Sequence, residues 1–169
     1  NNILQQVIAE EFTLGLNGAL TLPNWLKKEL IVINGRKYQM GIGGLHSCEK
    51  KQYIEAKEGW FLQDRDVVSY YPSIILQQQV SPKNMGQPFL TLYKGVVSER
   101  VAAKKRGDYL ISDTLKIFLN GSFGKLGSKY SLLYAPDLLL QTTITGQLAL
   151  LMLIERMEDA GIQIVSANT

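Results

Sequence analysis

Two long helix-forming runs, residues 89–106 and 109–125, are separated by nothing but Gly107-Asp108. So short a break must reverse the chain, which predicts two helices side by side as an antiparallel hairpin. A third run, 137–160, ends at Gly161, a residue suited to a helix C-terminus, and predicts one long helix. Upstream, β-rich stretches within 30–40 flank Asn34-Gly35, the pair favoured in two-residue hairpin turns because both residues must take positive φ. Residues 3–12 carry Ile3, Leu4, Val7, Ile8 and Phe12 at helical spacing. Asn17-Gly18 and Pro23-Asn24 then break the chain. Residues 60–69 read as a strand, followed by a helix from Pro72 to about Gln79, and 162–169 read as a closing strand.

Composition narrows the class. Of 169 residues, 46% are hydrophobic and 20% charged, which excludes a disordered tail, a collagen-like fibre and a disulfide scaffold. The length fits one domain with a core of its own. A lone cysteine, Cys48, forms no internal disulfide, so the chain reads as intracellular or indifferent to oxidation. The apolar region 138–154 is interrupted by Gln141, Thr142, Thr143, Thr145, Gly146 and Gln147, and is read as a core helix too polar to span a bilayer. The opening residues, a helical pattern with Glu10 and Glu11, are not read as a secretory leader, and no repeat or low-complexity segment is found.

Charge is uneven. Residues 94–129 hold eight basic residues against three acidic ones, so this stretch carries more positive charge than the whole chain, whose formal net charge is +3. That is a place for a polyanion; by charge alone a solvated basic face fits equally well. Arg100 and Lys104 stand four residues apart, on one helix face. Lys116, Asn120 and Gly124 follow at i, i+4 and i+8, so one face presents a cation, an amide and a bare backbone. Three of the residues in Gly41-Ile42-Gly43-Gly44 are glycine, which predicts a close approach by backbone or ligand. His46 and Cys48 lack spaced partners for zinc.

Two segments sharpen this reading. Residues 66–75, DVVSYYPSII, resemble motif A of family B DNA polymerases, D-x-x-S-L-Y-P-S-I-I. Residues 116–127, KIFLNGSFGKLG, resemble their motif B, K-x-x-x-N-S-x-Y-G, and the order and spacing are also the family's. Tyr70 stands where leucine is usual, Gly121 replaces a serine and Phe123 a tyrosine. The likeness covers about 30–169 and is strongest to bacteriophage enzymes, whose fingers are similarly short.

The resemblance implies an α+β fold: part of a polymerase palm, an antiparallel sheet with helices, carrying a short helical-hairpin fingers subdomain. The divisions are 1–87 (hairpin, glycine loop and motif A), 88–127 (fingers and motif B) and 128–169 (palm helix and the strand leading to motif C). It implies DNA synthesis from deoxynucleoside triphosphates on a primed template with two Mg2+ ions, or Mn2+ in their place. Asp66 is the implied catalytic carboxylate, binding metal together with the carbonyl of Val67. Ser69, Tyr70, Tyr71, Arg100, Lys104, Lys116 and Asn120 are the implied nucleotide-binding residues, with Tyr71 as the ring that excludes a ribose 2′-hydroxyl. Gly43, Gly44, Gly124 and Lys125 are the implied DNA contacts.

Residues 166–169, Ser-Ala-Asn-Thr, resemble the approach to motif C, Y-G-D-T-D, whose second aspartate would follow Thr169. The chain also lacks an initiator Met, so it is read as a piece of a longer polypeptide, without the exonuclease and thumb portions. With one carboxylate it is expected to be inactive by itself. The implied partners are primer–template DNA, a deoxynucleotide, the rest of the polypeptide and, as an alternative primer, a terminal protein, with no membrane. The setting is the cytoplasm of a bacterial host, from a phage or prophage. Two rival classes are a non-catalytic nucleotide- or nucleic-acid-binding module and a helical structural protein.

Overall fold

The structure, a computed structural model, describes residues 2–169. The elements in chain order are α1 (Asn2–Ala9), α2 (Asn24–Lys28), β1 (Ile31–Ile33), β2 (Arg36–Met40), β3 (Leu45–Ser47), α3 (Tyr70–Gln78), α4 (Gln87–Lys105), α5 (Tyr109–Lys125) and α6 (Pro136–Asp159). The architecture is α+β, with one antiparallel sheet of order β1-β2-β3. Asn34 and Gly35 both take positive φ, 46° and 79°, and Ile33 pairs with Arg36 across them, as the two-residue turn requires. Asp108 caps α5 by accepting from the Ile111 N–H, so Gly107, at φ 80°, and Asp108 reverse the chain as expected.

Two apolar clusters hold these elements, and α6 belongs to both. Val7, Leu22, Leu26, Ile31, Tyr38, Met40 and Leu45 pack on Leu151 and Ile154 near the end of α6. Ile75, Leu90, Tyr93, Leu119 and Leu126 pack with Ala135 and Leu138 at its start. Between the clusters α6 buries Thr142, Thr143, Gly146 and Gln147. The two threonines satisfy their hydroxyls on their own helix, Thr142 on the Leu138 carbonyl and Thr143 on those of Leu139 and Leu140. By length and composition α6 is apolar enough to cross a membrane, with a mean hydropathy of 1.5 over its most apolar stretch, so the expectation that it is too polar to span does not hold. Within the fold it is the helix that both clusters share.

Several sequence expectations need correction. Residues 60–69 form no strand: the chain from 48 to 68 has no regular structure, and Trp60, Phe61 and Leu62 are exposed. β propensity needs a partner ladder, and no described strand lies beside this segment. Residues 162–169 make one isolated bridge, Asn168 with His46, rather than a strand. The backbone bonds there run from Ser47 N to Ala167 O and from Thr169 N to Leu45 O. α1 ends at Ala9, short of Phe12, while α2 and β3 arise where only turns and a glycine loop were read.

Glu158, near the end of α6, ties three parts together. Its carboxylate accepts from the Ile164 N–H at 2.9 Å and the Asn34 side-chain amide at 3.1 Å, with Arg36 Nε at 3.9 Å. The Ile164 bond first, then that of Asn34, hold its pKa below the ordinary carboxylate value; burial opposes them, and the charge of Arg36 adds the least. A lowered folded pKa contributes stability that is whole above the unfolded value and lost as pH falls through the folded one. Between about pH 6 and about pH 3 the melting temperature should therefore fall more for the native chain than for Glu158→Gln, by calorimetry. Equal falls would show that this carboxylate is not linked to folding.

Candidate nucleotide and metal site

The start of α3 is where the sheet, the helical hairpin and α6 meet. Ser69 precedes it in the left-handed region, φ 53° and ψ 48°, which is uncommon for a residue with a side chain. Its hydroxyl makes no capping bond with α3 and instead accepts from Arg100 Nη1 on α4. Arg100 is half-buried, and its Nε is buried without a partner. Tyr70 donates its hydroxyl to the Gly146 carbonyl on α6 at 2.7 Å.

Tyr71 lies at the centre. Its ring stacks on Phe123 of α5, with centroids 5.0 Å apart and planes tilted by 18°. Its hydroxyl oxygen is 2.8 Å from both the Gly43 carbonyl and Thr169 Oγ1. A carbonyl only accepts, so the phenol proton goes to Gly43 and the Thr169 proton to the phenol. Thr169 Oγ1 in turn accepts from the Leu45 N–H at 2.9 Å. Burial raises the pKa of both tyrosines; for Tyr70 the neighbouring Tyr71 adds to the rise, and for Tyr71 the Thr169 bond opposes it. Both phenols are therefore protonated donors at neutral pH.

Glycine is required at two points. A Cβ on Gly146 would lie 2.8 Å from the Tyr71 ring and 3.2 Å from both Ile74 and Tyr70. A Cβ on Gly44 would lie 2.1 Å from Thr169 Oγ1 and 3.0 Å from the Thr169 carbonyl. Along α5, by contrast, a Cβ on Gly121 or Gly124 meets nothing within 4 Å, so this side of the helix is open.

The structure brings together Ser69, Tyr70, Tyr71, Arg100, Gly43 and Gly44. Gly44 is buried, facing Thr169 and Tyr71, and Gly43 is exposed. Asp66 and Val67 lie exposed in the irregular segment just before Ser69, so Asp66 does not sit on a strand end as read. Lys104, Lys116, Asn120, Gly124 and Lys125 are exposed. Lys116 and Asn120 precede Phe123 by seven and three residues, which puts them on the face of α5 that meets Tyr71. Sequence reading missed Thr169 as a partner of Tyr71. The resemblance puts Thr142, Gly146 and Gln147 on or near the DNA side of the long helix, but all three are buried; the contacts of Gln147 are described below.

Among the described residues, no three of His, Cys, Asp or Glu cluster as metal ligands. Asp66 with the Val67 carbonyl is a pair of hard oxygen donors of the kind Mg2+ takes. Bridging two cations needs a further carboxylate, so these residues do not by themselves form a two-metal site. Two cavities lie elsewhere: an apolar groove of about 250 Å3 beside Leu4, Leu30 and Met152, and an open polar hollow beside Asn34 and Asp159.

No protein-family model, curated protein or solved structure matches this chain.

The two classes of glycine should separate on substitution. Gly146→Ala should destabilise by about 1–3 kcal/mol in urea unfolding, because the added methyl meets a packed ring. Gly121→Ala should stabilise by roughly 0.5–1 kcal/mol, the helix gain with open space around it. Effects of the same sign would contradict the packing described.

Proposed function

We propose that this chain is the palm-and-fingers part of a family B DNA polymerase, adding deoxynucleotides to a primer 3′-hydroxyl on a DNA template. The hairpin of α4 and α5 is the fingers; the sheet, α3 and α6 are the palm. One observation carries the reading. The segments resembling motifs A and B, about 50 residues apart in sequence, touch where Tyr71 stacks on Phe123, and Arg100 of α4, between them in the chain, reaches Ser69 of the first.

The residues divide the work by chemistry. A triphosphate at the start of α3 meets N–H groups unpaired within the helix and the favourable end of its dipole. Arg100 then exchanges a neutral hydroxyl for a phosphate, a stronger charge-assisted acceptor. Lys104 and Lys116, both exposed, add positive charge along the same hairpin, and Asn120 lies between Lys116 and Phe123 to meet the sugar and base. The Tyr71 ring, held at its hydroxyl and stacked on one face, is a rigid floor under the sugar that leaves no room for a 2′-hydroxyl. Gly43, Gly124 and Lys125 are exposed and available to DNA, whereas buried Gly44 shapes the loop.

Asp66 and the Val67 carbonyl offer ligands to Mg2+ or Mn2+, and the family pattern implies an aspartate directly after Thr169 to complete the set. In this reading the chain works within a longer phage or prophage polypeptide, in the bacterial cytoplasm. The primer hydroxyl comes from a nucleic acid or from a terminal protein.

Primer extension by the complete polypeptide tests the proposal. Asp66→Asn should lower kcat/KM on the order of 1,000-fold, the loss of a carboxylate worth several kcal/mol. Lys116→Ala should act mainly by raising KM for the deoxynucleotide. Full activity in Asp66→Asn would overturn the reading. Binding of DNA or nucleotide without any extension would favour the non-catalytic binding module, which the single carboxylate of this chain also suits.

A further inference from the structure

Gln147 lies in the interior of α6 and is completely buried, at 0% exposure. Both ends of its amide are used, and on one residue. Its Oε1 accepts from the Gly41 N–H at 3.0 Å, and its Nε2 donates to the Gly41 carbonyl at 2.8 Å. The side chain thus grips the Gly41 backbone as a neighbouring strand would. The Gly41 N–H also reaches the Gly44 carbonyl at 2.8 Å, closing residues 41–44 into a tight loop. That loop presents the Gly43 carbonyl to the Tyr71 hydroxyl, and its far end leads into Leu45, whose N–H holds Thr169 Oγ1 against the same phenol.

A fully buried glutamine needs both of its polar atoms paired, so its geometry is fixed by the loop and the loop by it. We propose that Gln147 is a positioning residue for sugar selection: it holds the glycine loop so that Tyr71 is anchored at its hydroxyl and its ring does not yield to a 2′-hydroxyl. This rests on the polymerase reading above. Exclusion by a ring depends on how firmly the ring is held. Stacking on Phe123 supports one face and Gly146 packs against an edge, but the hydroxyl bonds are the directional contacts that fix the far end of the ring.

A double-mutant cycle in the complete polypeptide tests this, using single-nucleotide incorporation of deoxy- and ribonucleoside triphosphates on a primed template. Gln147→Met keeps an unbranched side chain of similar length and removes both amide bonds. It should lower the ratio of kcat/KM for deoxy- over ribonucleotide about tenfold, the scale of one lost buried hydrogen bond. Tyr71→Phe, which keeps the ring, should lower it by a similar factor. The double variant should lose no more than either single one, because both break the same anchor. Amide exchange at Leu45 should quicken in Gln147→Met.

An unchanged ratio in Gln147→Met, or effects that multiply in the double variant, would overturn the proposal. If Gln147→Met fails to fold, Tyr71→Phe still decides, since an unchanged ratio there means that the hydroxyl anchor does not govern selection. A native polypeptide that incorporates nothing overturns the polymerase reading and sugar selection with it. That failure is told apart from failure of the clamp by Leu45 exchange, which the clamp alone predicts will rise.

Discussion

The hydroxyl of Tyr71 is the point on which the arrangement depends. Through it the start of α3 is joined to the glycine loop before β3 and to Thr169, while the ring beneath it rests on Phe123 of α5. Sheet, helical hairpin and the segment after α6 therefore converge on one side chain. The convergence is tight enough to exclude a methyl group at Gly146 and at Gly44. Both glycines are explained by the same ring and hydroxyl, one packing against its edge and the other lying under its hydrogen-bond partner.

α6 makes this convergence possible. Its two ends are anchored in separate apolar clusters, and the stretch between them is where polar side chains are buried. Burial of a polar group is tolerated when it is paired, and pairing is directional where apolar contact is not. Gln147 and the Gly146 carbonyl fix the angle and position of neighbouring elements by hydrogen bonds. The apolar clusters supply cohesion, and the polar stretch between them supplies registration. The proposed discrimination between two sugars would draw on the second property more than on the first.

Helical periodicity and turn chemistry made most of the fold legible in the sequence. The runs around Gly107-Asp108, the Asn34-Gly35 turn and the long helix before Gly161 all stand close to where spacing put them. Strands were less legible for a physical reason. Residues 60–69 have the composition of a strand, but a strand exists only beside a partner, and sequence does not say whether one is present. The same holds for 162–169, where β3 meets the segment through a single bridge. At the candidate site, Ser69, Tyr71 and Arg100 were each singled out as nucleotide ligands, and the structure shows Arg100 bonded to Ser69, two residues before Tyr71. The buried setting of Gly44, the Thr169 hydroxyl and the Gln147 clamp depend on contacts more than a hundred residues apart in the chain, which local patterns do not encode.

In this account, the Ser69 hydroxyl holds the position on Arg100 that a phosphate would take, and the floor set by Tyr71 is ready before any nucleotide arrives. The most direct measurement is a crystal structure of the complete polypeptide with primed template and a non-hydrolysable deoxynucleoside triphosphate. The account predicts Arg100 on the phosphates and released from Ser69, with the sugar against the Tyr71 ring. Arg100 still on Ser69, with the nucleotide bound away from α3, would contradict it.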